Sequence, residues 1–219
     1  VHCVGSSIIA IKLHLDILEA ASYTQFIMEM KQLKDVYNFL VIEDAKYADI
    51  DSIMIEKINH SQLDIKGIAD AVTIHGISGL SILEGDKLVI PGIVVAEMSS
   101  SNNMISIDYS SNIISYIRKN RTQELPLQLS LGGLVCQGGV PQMLEPFEML
   151  TMSPGINLDA AINSDGHNQR YSMPNLRNNR LGLFWIVGRG ITIYKNNNEK
   201  LKEVMNTYQT KGWDYFIKY

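Results

Sequence analysis

Three stretches of the chain hold residues whose types and spacing could do chemistry. Asp44 and Lys46 stand two apart directly after the apolar run Phe39-Leu40-Val41-Ile42, so on a strand both point to one face. Lys12 and His14 follow another apolar run, Ile8-Ile9-Ala10-Ile11, and Lys12 could join the pair from a neighbouring strand. Asp49 comes next, at the start of a helical pattern, where a carboxylate suits the helix N-terminus. Two lysines and two aspartates in one cluster could stabilise developing charge, with a lysine placed to deliver a proton. The same residues also fit a plain surface ion pair at a strand end.

The second stretch is Glu97-Met98-Ser99-Ser100-Ser101, which reads either as an ordinary loop or as a source of hydroxyl and backbone donors for a polar ligand. The third joins Ser153-Pro154-Gly155, Gln169-Arg170-Tyr171 and Gly188-Arg189-Gly190. Glycine permits close backbone approach, a helix N-terminus favours anions, and arginine offers a planar fork to phosphate oxygens. We read this group as a phosphate site; a turn with a solvated arginine is the plain alternative. His75-Gly76 ends a further run, Ala71 to Ile74, and reads as a packed histidine. No His-x₃-His or Cys-x₂-Cys spacing occurs, so no metal is expected.

The elements that must position these groups follow from hydrophobic patterning. Seven short apolar runs recur: 8–11, 39–42, 71–74, 88–90 with 93–96, 133–136, 147–150 and 184–187. They are too short for helices and too continuous for half-exposed strands, so they read as strands of a covered parallel sheet. Helical stripes lie between them: Phe26, Met30, Leu33 and Val36; Ile53, Ile55 and Ile58; Ile113, Ile114 and Ile117; and Leu201, Val204, Met205 and Tyr208, the last helix ending near Gly212. Asn178-Asn179 and Asn196-Asn197-Asn198 read as surface turns. The alternation predicts a (β/α)₈ TIM barrel, in a single domain over residues 1–219, one strand short at the N-terminus. In that architecture the functional groups sit after the strands, and phosphate binds after the last two.

Composition sets the outer limits. The 219 residues are 46% hydrophobic and 19% charged, an ordinary globular make-up. The net charge of −4 leaves no footprint for nucleic acid or an anionic membrane. No apolar stretch is long enough to span a bilayer, and Val1 to Gly5 lack the build of a signal peptide. Cys3 and Cys136 cannot make a disulfide framework, which suits a reducing, cytoplasmic setting.

Taken in order, these motifs resemble the orotidine 5′-monophosphate decarboxylase family. The resemblance runs from about Val4 to Tyr219 and rests on Ile11 to Leu18, Phe39 to Ile50, Ala96 to Ser100, Ser153 to Gly155, Gln169 to Tyr171, Ile186 to Gly190 and Lys211 to Tyr215. It is closest in flavour to the eukaryotic enzymes, including the decarboxylase half of bifunctional UMP synthase. It implies a cofactor-free, metal-free homodimer acting on a nucleotide in pyrimidine synthesis. It places Lys12, Asp44, Lys46 and Asp49 in the family's charged tetrad, with Lys46 the proton donor and Asp49 reaching the partner's site. His14 would lie near the ribose, Ser99 at the pyrimidine, and Gln169, Tyr171, Gly188 and Arg189 at the phosphate, with Ile50 and Pro154 also among the substrate-binding residues.

The chain departs from the family at several points. The ribose-binding Asp of the family's first strand has no counterpart, and Ala45 replaces the Arg inside the tetrad. Asp51-Ser52-Ile53 stands for Gly-Asn-Thr, Thr73-Ile74-His75 for Asn-Ala-His, and Asn102-Asn103-Met104 for the Gly-Ser-Leu loop. Asn157, Ala160, Ala161 and His167 vary in the phosphate loop. Two other readings therefore stand beside an active decarboxylase. One is an impaired relative that keeps the barrel and binds nucleotide or dimerises. The other is a magnesium-dependent sugar-phosphate aldolase or decarboxylase of the same barrel superfamily, against which the Lys12-x-His14 and Gln169-x-Tyr171 pairs count.

Overall fold

A computed structural model describes residues 1–121, 129–145, 148–158, 168–172 and 181–217. Part of the sixth apolar run (Phe147), the Asn178-Asn179 turn and the variable positions Ala160, Ala161 and His167 lie outside them. The chain divides into two compact units, residues 1–95 with 113–132 and residues 96–112 with 133–219.

The first unit carries four parallel strands in chain order, β1 (Ala10–Leu13), β2 (Leu40–Tyr47), β3 (Ala71–His75) and β4 (Gly92–Val95). Helices α1 (Ala20–Tyr37), α2 (Asp51–Asn59) and α3 (Ile65–Ile68) fill the connections. Val41, Val72, Ile74 and Val94 are fully buried, as expected of strands covered on both faces. β1 is only half-buried along its length. Helix α1 ends where Asn38 turns into the left-handed region at φ 55° and donates its N–H to the Lys34 carbonyl. Its buried face differs from the stripe read in the sequence. Ile27 and Met30 point inward, Val36 is 71% exposed, and Lys34 reaches in to Asp70 at 2.7 Å. In α2 the inward residues are Met54 and Ile58, with Ile53 turned out.

Helix α4 (Ile107–Arg121) runs through both units, with Ile113, Ile114 and Ile117 buried as the periodicity requires. The second unit contains β5 (Leu131–Val135), which begins at the end of the first, then α5 (Gly139–Met143), β6 (Thr151–Pro154) and β7 (Phe184–Ile186), again parallel. Short α6 (Arg189–Thr192) and long α7 (Asn198–Phe216) follow. The strand expected at 147–150 instead begins at Thr151, and the 88–90 run is no strand. α7 continues past Gly212 to Phe216, because Tyr215 packs into the core beside Trp185 at a ring separation of 5.6 Å. Asn197, expected in a turn, caps α7 by accepting the Lys200 N–H at 3.0 Å. Among the described residues no helix is long and apolar enough to cross a membrane.

Candidate active site

The first unit assembles its charges at the ends of β1 and β2. Asp44 is 2% exposed and is the hub. Its Oδ2 accepts from Lys12 Nζ and, at 2.8 Å, from Lys46 Nζ, while His14 Nε2 stands 3.4 Å away. Its Oδ1 accepts from the Thr73 hydroxyl at 2.9 Å. Burial alone would push the Asp44 carboxyl up; Lys12 and Lys46 outweigh it and hold the group below the usual carboxylate range. Burial, with Lys46 and Lys12 nearby, lowers the His14 imidazole against the pull of Asp44. His75 is lowered in the same way, by burial and then by Lys46. A neutral imidazole beside an ion cluster can donate or accept a hydrogen bond without adding charge.

Lys46 sits on an irregularity in β2. Glu43 pairs with Val72 and Tyr47 with Ile74, so β2 uses four residue steps where β3 uses two. Lys46 takes φ 52°, a left-handed conformation costing a side-chain-bearing residue about 1–2 kcal/mol. The bulge folds Lys46 Nζ back onto its own strand, 3.2 Å from the Asp44 carbonyl oxygen as well as on the carboxylate.

Asp49 stands apart from this cluster. Its Oδ2 holds Lys57 Nζ at 3.1 Å and its Oδ1 accepts the Ile50 N–H at 2.9 Å. These two bonds keep its carboxyl below the usual range. Ile50, beside it, is 64% exposed at the start of α2. Asp51, where the family has glycine, accepts from the Ser81 hydroxyl at 2.9 Å and from Lys87 at 3.0 Å.

The second unit gathers the other predicted residues. Ser99 is 7% exposed, and its carbonyl accepts the Arg170 N–H at 2.8 Å. Gly155 adopts φ 70°, and any side chain on it would run into the Arg170 carbonyl and the Gln169 amide. The motifs 153–155, 169–171 and 96–100 thus form one tightly packed group, and only glycine lets them close. Pro154 accepts from Gln137 Nε2 at 2.7 Å. Gly188 and Arg189 open α6 at an exposed position, with the Gly188 carbonyl accepting the Ile191 N–H at 2.9 Å. Tyr171 is half-buried next to this group.

Three positioning residues were not assigned a role from the sequence. Glu97 Oε2 accepts the N–H groups of Gln137 and Val140, and its Oε1 accepts that of Gly139. Glu43 Oε2 accepts the Leu15 N–H. Thr73 bonds Asp44, as above. A charged or hydroxyl side chain inside or directly after an apolar run is the signal that could have found them.

Comparison with known proteins agrees with this architecture. The family model described as orotidine 5′-phosphate decarboxylase / HUMPS matches residues 1–204. The chain is 27% identical to orotidine 5′-phosphate decarboxylase of Maudiozyma exigua, covering 98% of this chain and 79% of that one. It is 28% identical to the same-named protein of Schizophyllum commune, covering 100% and 80%. Among solved structures it resembles orotidine 5′-monophosphate decarboxylase of Methanocaldococcus jannaschii complexed with the inhibitor BMP, at TM-score 0.61 and 19% identity, covering 95% of this chain and 90% of that one. The likeness to that structure shows the fold of the (β/α)₈ barrels, and the parallel strands in chain order within each unit agree with it. With matched residues spanning nearly its whole length, the chain belongs to the orotidine 5′-phosphate decarboxylase / HUMPS family.

Proposed function

We propose that the chain decarboxylates orotidine 5′-monophosphate to uridine 5′-monophosphate without a cofactor, as one cytoplasmic barrel domain working in a homodimer. The observation that carries this reading is the buried Asp44 carboxylate shared by two ammonium groups, with Lys46 Nζ at 2.8 Å. Breaking the C6–carboxylate bond releases carbon dioxide and leaves an electron pair at C6. Lys46 delivers its proton there and recovers one from water. Asp44 fixes the ammonium and stands near the departing carboxylate, while Lys12 balances its charge. His14 lies toward the ribose, Ser99 contacts the base, and Gln169, Tyr171, Gly188 and Arg189 hold the phosphate. Binding energy from that remote phosphate serves the chemical step. The exposed Ile50 and the half-buried Asp49 suit a surface that a partner covers, Asp49 then entering the partner's site.

One observation favours a second reading, an impaired nucleotide-binding relative. Ile53 lacks the hydroxyl that the family's Thr supplies, and Asp51 is already engaged by Ser81 and Lys87. A single experiment separates the two. Conversion of orotidine 5′-monophosphate by purified chain without added metal, absent in Lys46→Ala, supports the enzyme. A folded chain that binds uridine 5′-monophosphate and converts nothing supports the relic.

A further inference from the structure

We infer that Thr73 is the positioning residue that sets the proton donor, its hydroxyl holding the Lys46 backbone with one lone pair and the Asp44 carboxylate with its proton. This deepens the decarboxylase reading and rests on it. Thr73 is fully buried in β3, directly opposite the bulge of β2. In a regular parallel ladder the Lys46 N–H would donate to a β3 carbonyl. The bulge removes that partner, and the N–H donates instead to Thr73 Oγ1 at 3.0 Å. The hydroxyl then donates to Asp44 Oδ1 at 2.9 Å, its other acceptor, the Glu43 carbonyl, being more distant at 3.5 Å.

The consequence is a division of labour on one carboxylate. Oδ1 is occupied by the neutral hydroxyl, so Oδ2 is left for the ammonium groups of Lys12 and Lys46. The same oxygen that orients Asp44 also supplies the hydrogen bond that a left-handed Lys46 needs inside a sheet. Backbone and side chain of the donor pair are therefore fixed by a single atom of the neighbouring strand. Valine has nearly the shape of threonine and can make neither bond. Serine can make both.

The test compares wild type, Thr73→Val and Thr73→Ser. Two quantities are read: kcat and KM for orotidine 5′-monophosphate, and the hydrogen-exchange protection of the Lys46 amide. Thr73→Val is expected to lower kcat on the order of 100-fold with KM within about threefold, because a displaced donor costs turnover while the phosphate contacts are untouched. Lys46 amide protection falls at least about tenfold in Thr73→Val, and Thr73→Ser restores both quantities to near wild type. Should Thr73→Val fail to fold, Thr73→Cys replaces it, since a thiol is a poor donor and acceptor of similar size. A folded Thr73→Val with wild-type kcat, a Thr73→Ser no better than Thr73→Val, or unchanged Lys46 protection would each overturn the inference. A wild-type chain inert toward orotidine 5′-monophosphate would instead sink the decarboxylase reading, and Lys46 protection alone would then decide the role of Thr73.

Discussion

Glu43 Oε2 accepts the backbone N–H of Leu15 at 2.9 Å, tying the middle of β2 to the turn that follows Lys12 and His14. The carboxyl is 1% exposed, and its pKa is pushed up to about 7, first by burial and then by Asp16 and Asp44, against the Leu15 hydrogen bond. The unfolded chain releases this proton near pH 4.5 and the folded chain near 7. Its contribution to stability is therefore fully present below about pH 4.5 and lost as pH rises through 7, by roughly 3 kcal/mol in all. His14 and His75, with lowered pKa values, favour folding as pH rises over part of the same range, so the comparison must be with a variant. Glu43→Gln keeps an acceptor for Leu15 and cannot ionise. Urea unfolding from pH 4.5 to 8 should show the wild type losing stability relative to Glu43→Gln as pH rises. Parallel curves would mean that folding leaves the Glu43 pKa at its ordinary value.

Arg189 is where the proposed phosphate site can be tested. It opens α6 at an exposed position beside Gly188. If it grips phosphate through charge-assisted bonds, Arg189→Ala should raise KM for orotidine 5′-monophosphate roughly 10- to 100-fold. kcat should fall as well if phosphate binding energy is spent on the chemical step. A KM within twofold of wild type would remove Arg189 from the phosphate site.

Asp49 gives a test of the shared site. Its carboxylate is held by Lys57 and is not part of the Lys12–Asp44–Lys46 cluster. If it acts in the partner's site, mixing inactive Asp49→Ala with inactive Lys46→Ala should form some dimers with one complete site. Activity should approach about a quarter of the wild-type value per chain when the subunits exchange at random, since one site in four then has both residues. Heterodimers shown by native mass spectrometry to form, yet inactive, would count against the arrangement.

The sequence shows the strands best where they are continuous and apolar. β3 and β4 are buried and rich in Val and Ile, and lie within a few residues of the runs read in the sequence, whereas β2 runs on through Glu43 and Asp44 to Tyr47, five residues past its apolar run. β6 lies just past the apolar run 147–150 because it is Thr151-Met152-Ser153-Pro154. Its polar groups are buried and used: Thr151 Oγ1 accepts the Leu183 N–H at 3.0 Å and Ser153 Oγ the Gly182 N–H at 2.7 Å. A search for apolar runs is blind to such a strand. The inward face of α1 lies a position from the stripe Phe26, Met30, Leu33 and Val36: Ile27 is buried with Met30, and Lys34 sends its ammonium in to Asp70 and the Ile68 carbonyl. In the site, alternation along a strand correctly grouped Asp44 with Lys46. The bulge that closes their distance was not legible, because it depends on how β3 presents Thr73 to β2.

Glu97 shows how much of the second unit rests on one carboxylate. It receives three backbone N–H groups, from Gln137 at 2.5 Å and from Gly139 and Val140 at 3.1 Å. Gln137 in turn holds the Pro154 carbonyl at 2.7 Å, so the loops after β4, β5 and β6 are laced together behind Ser99 and Gly155. Glu97→Ala would leave these donors without their acceptor at the start of α5, at a cost of about 2–4 kcal/mol. Glu97→Gln retains one carbonyl oxygen but offers an amide NH₂ where the other oxygen accepted, so about half of that cost should remain. Urea midpoints measure the stability, and KM for orotidine 5′-monophosphate measures the loop geometry. KM should rise in the order wild type, Glu97→Gln, Glu97→Ala, with kcat falling less, because Lys46, the proposed proton donor, belongs to the first unit. An Ala variant as stable as wild type would mean that water replaces the carboxylate and that the lacing does not set the loop.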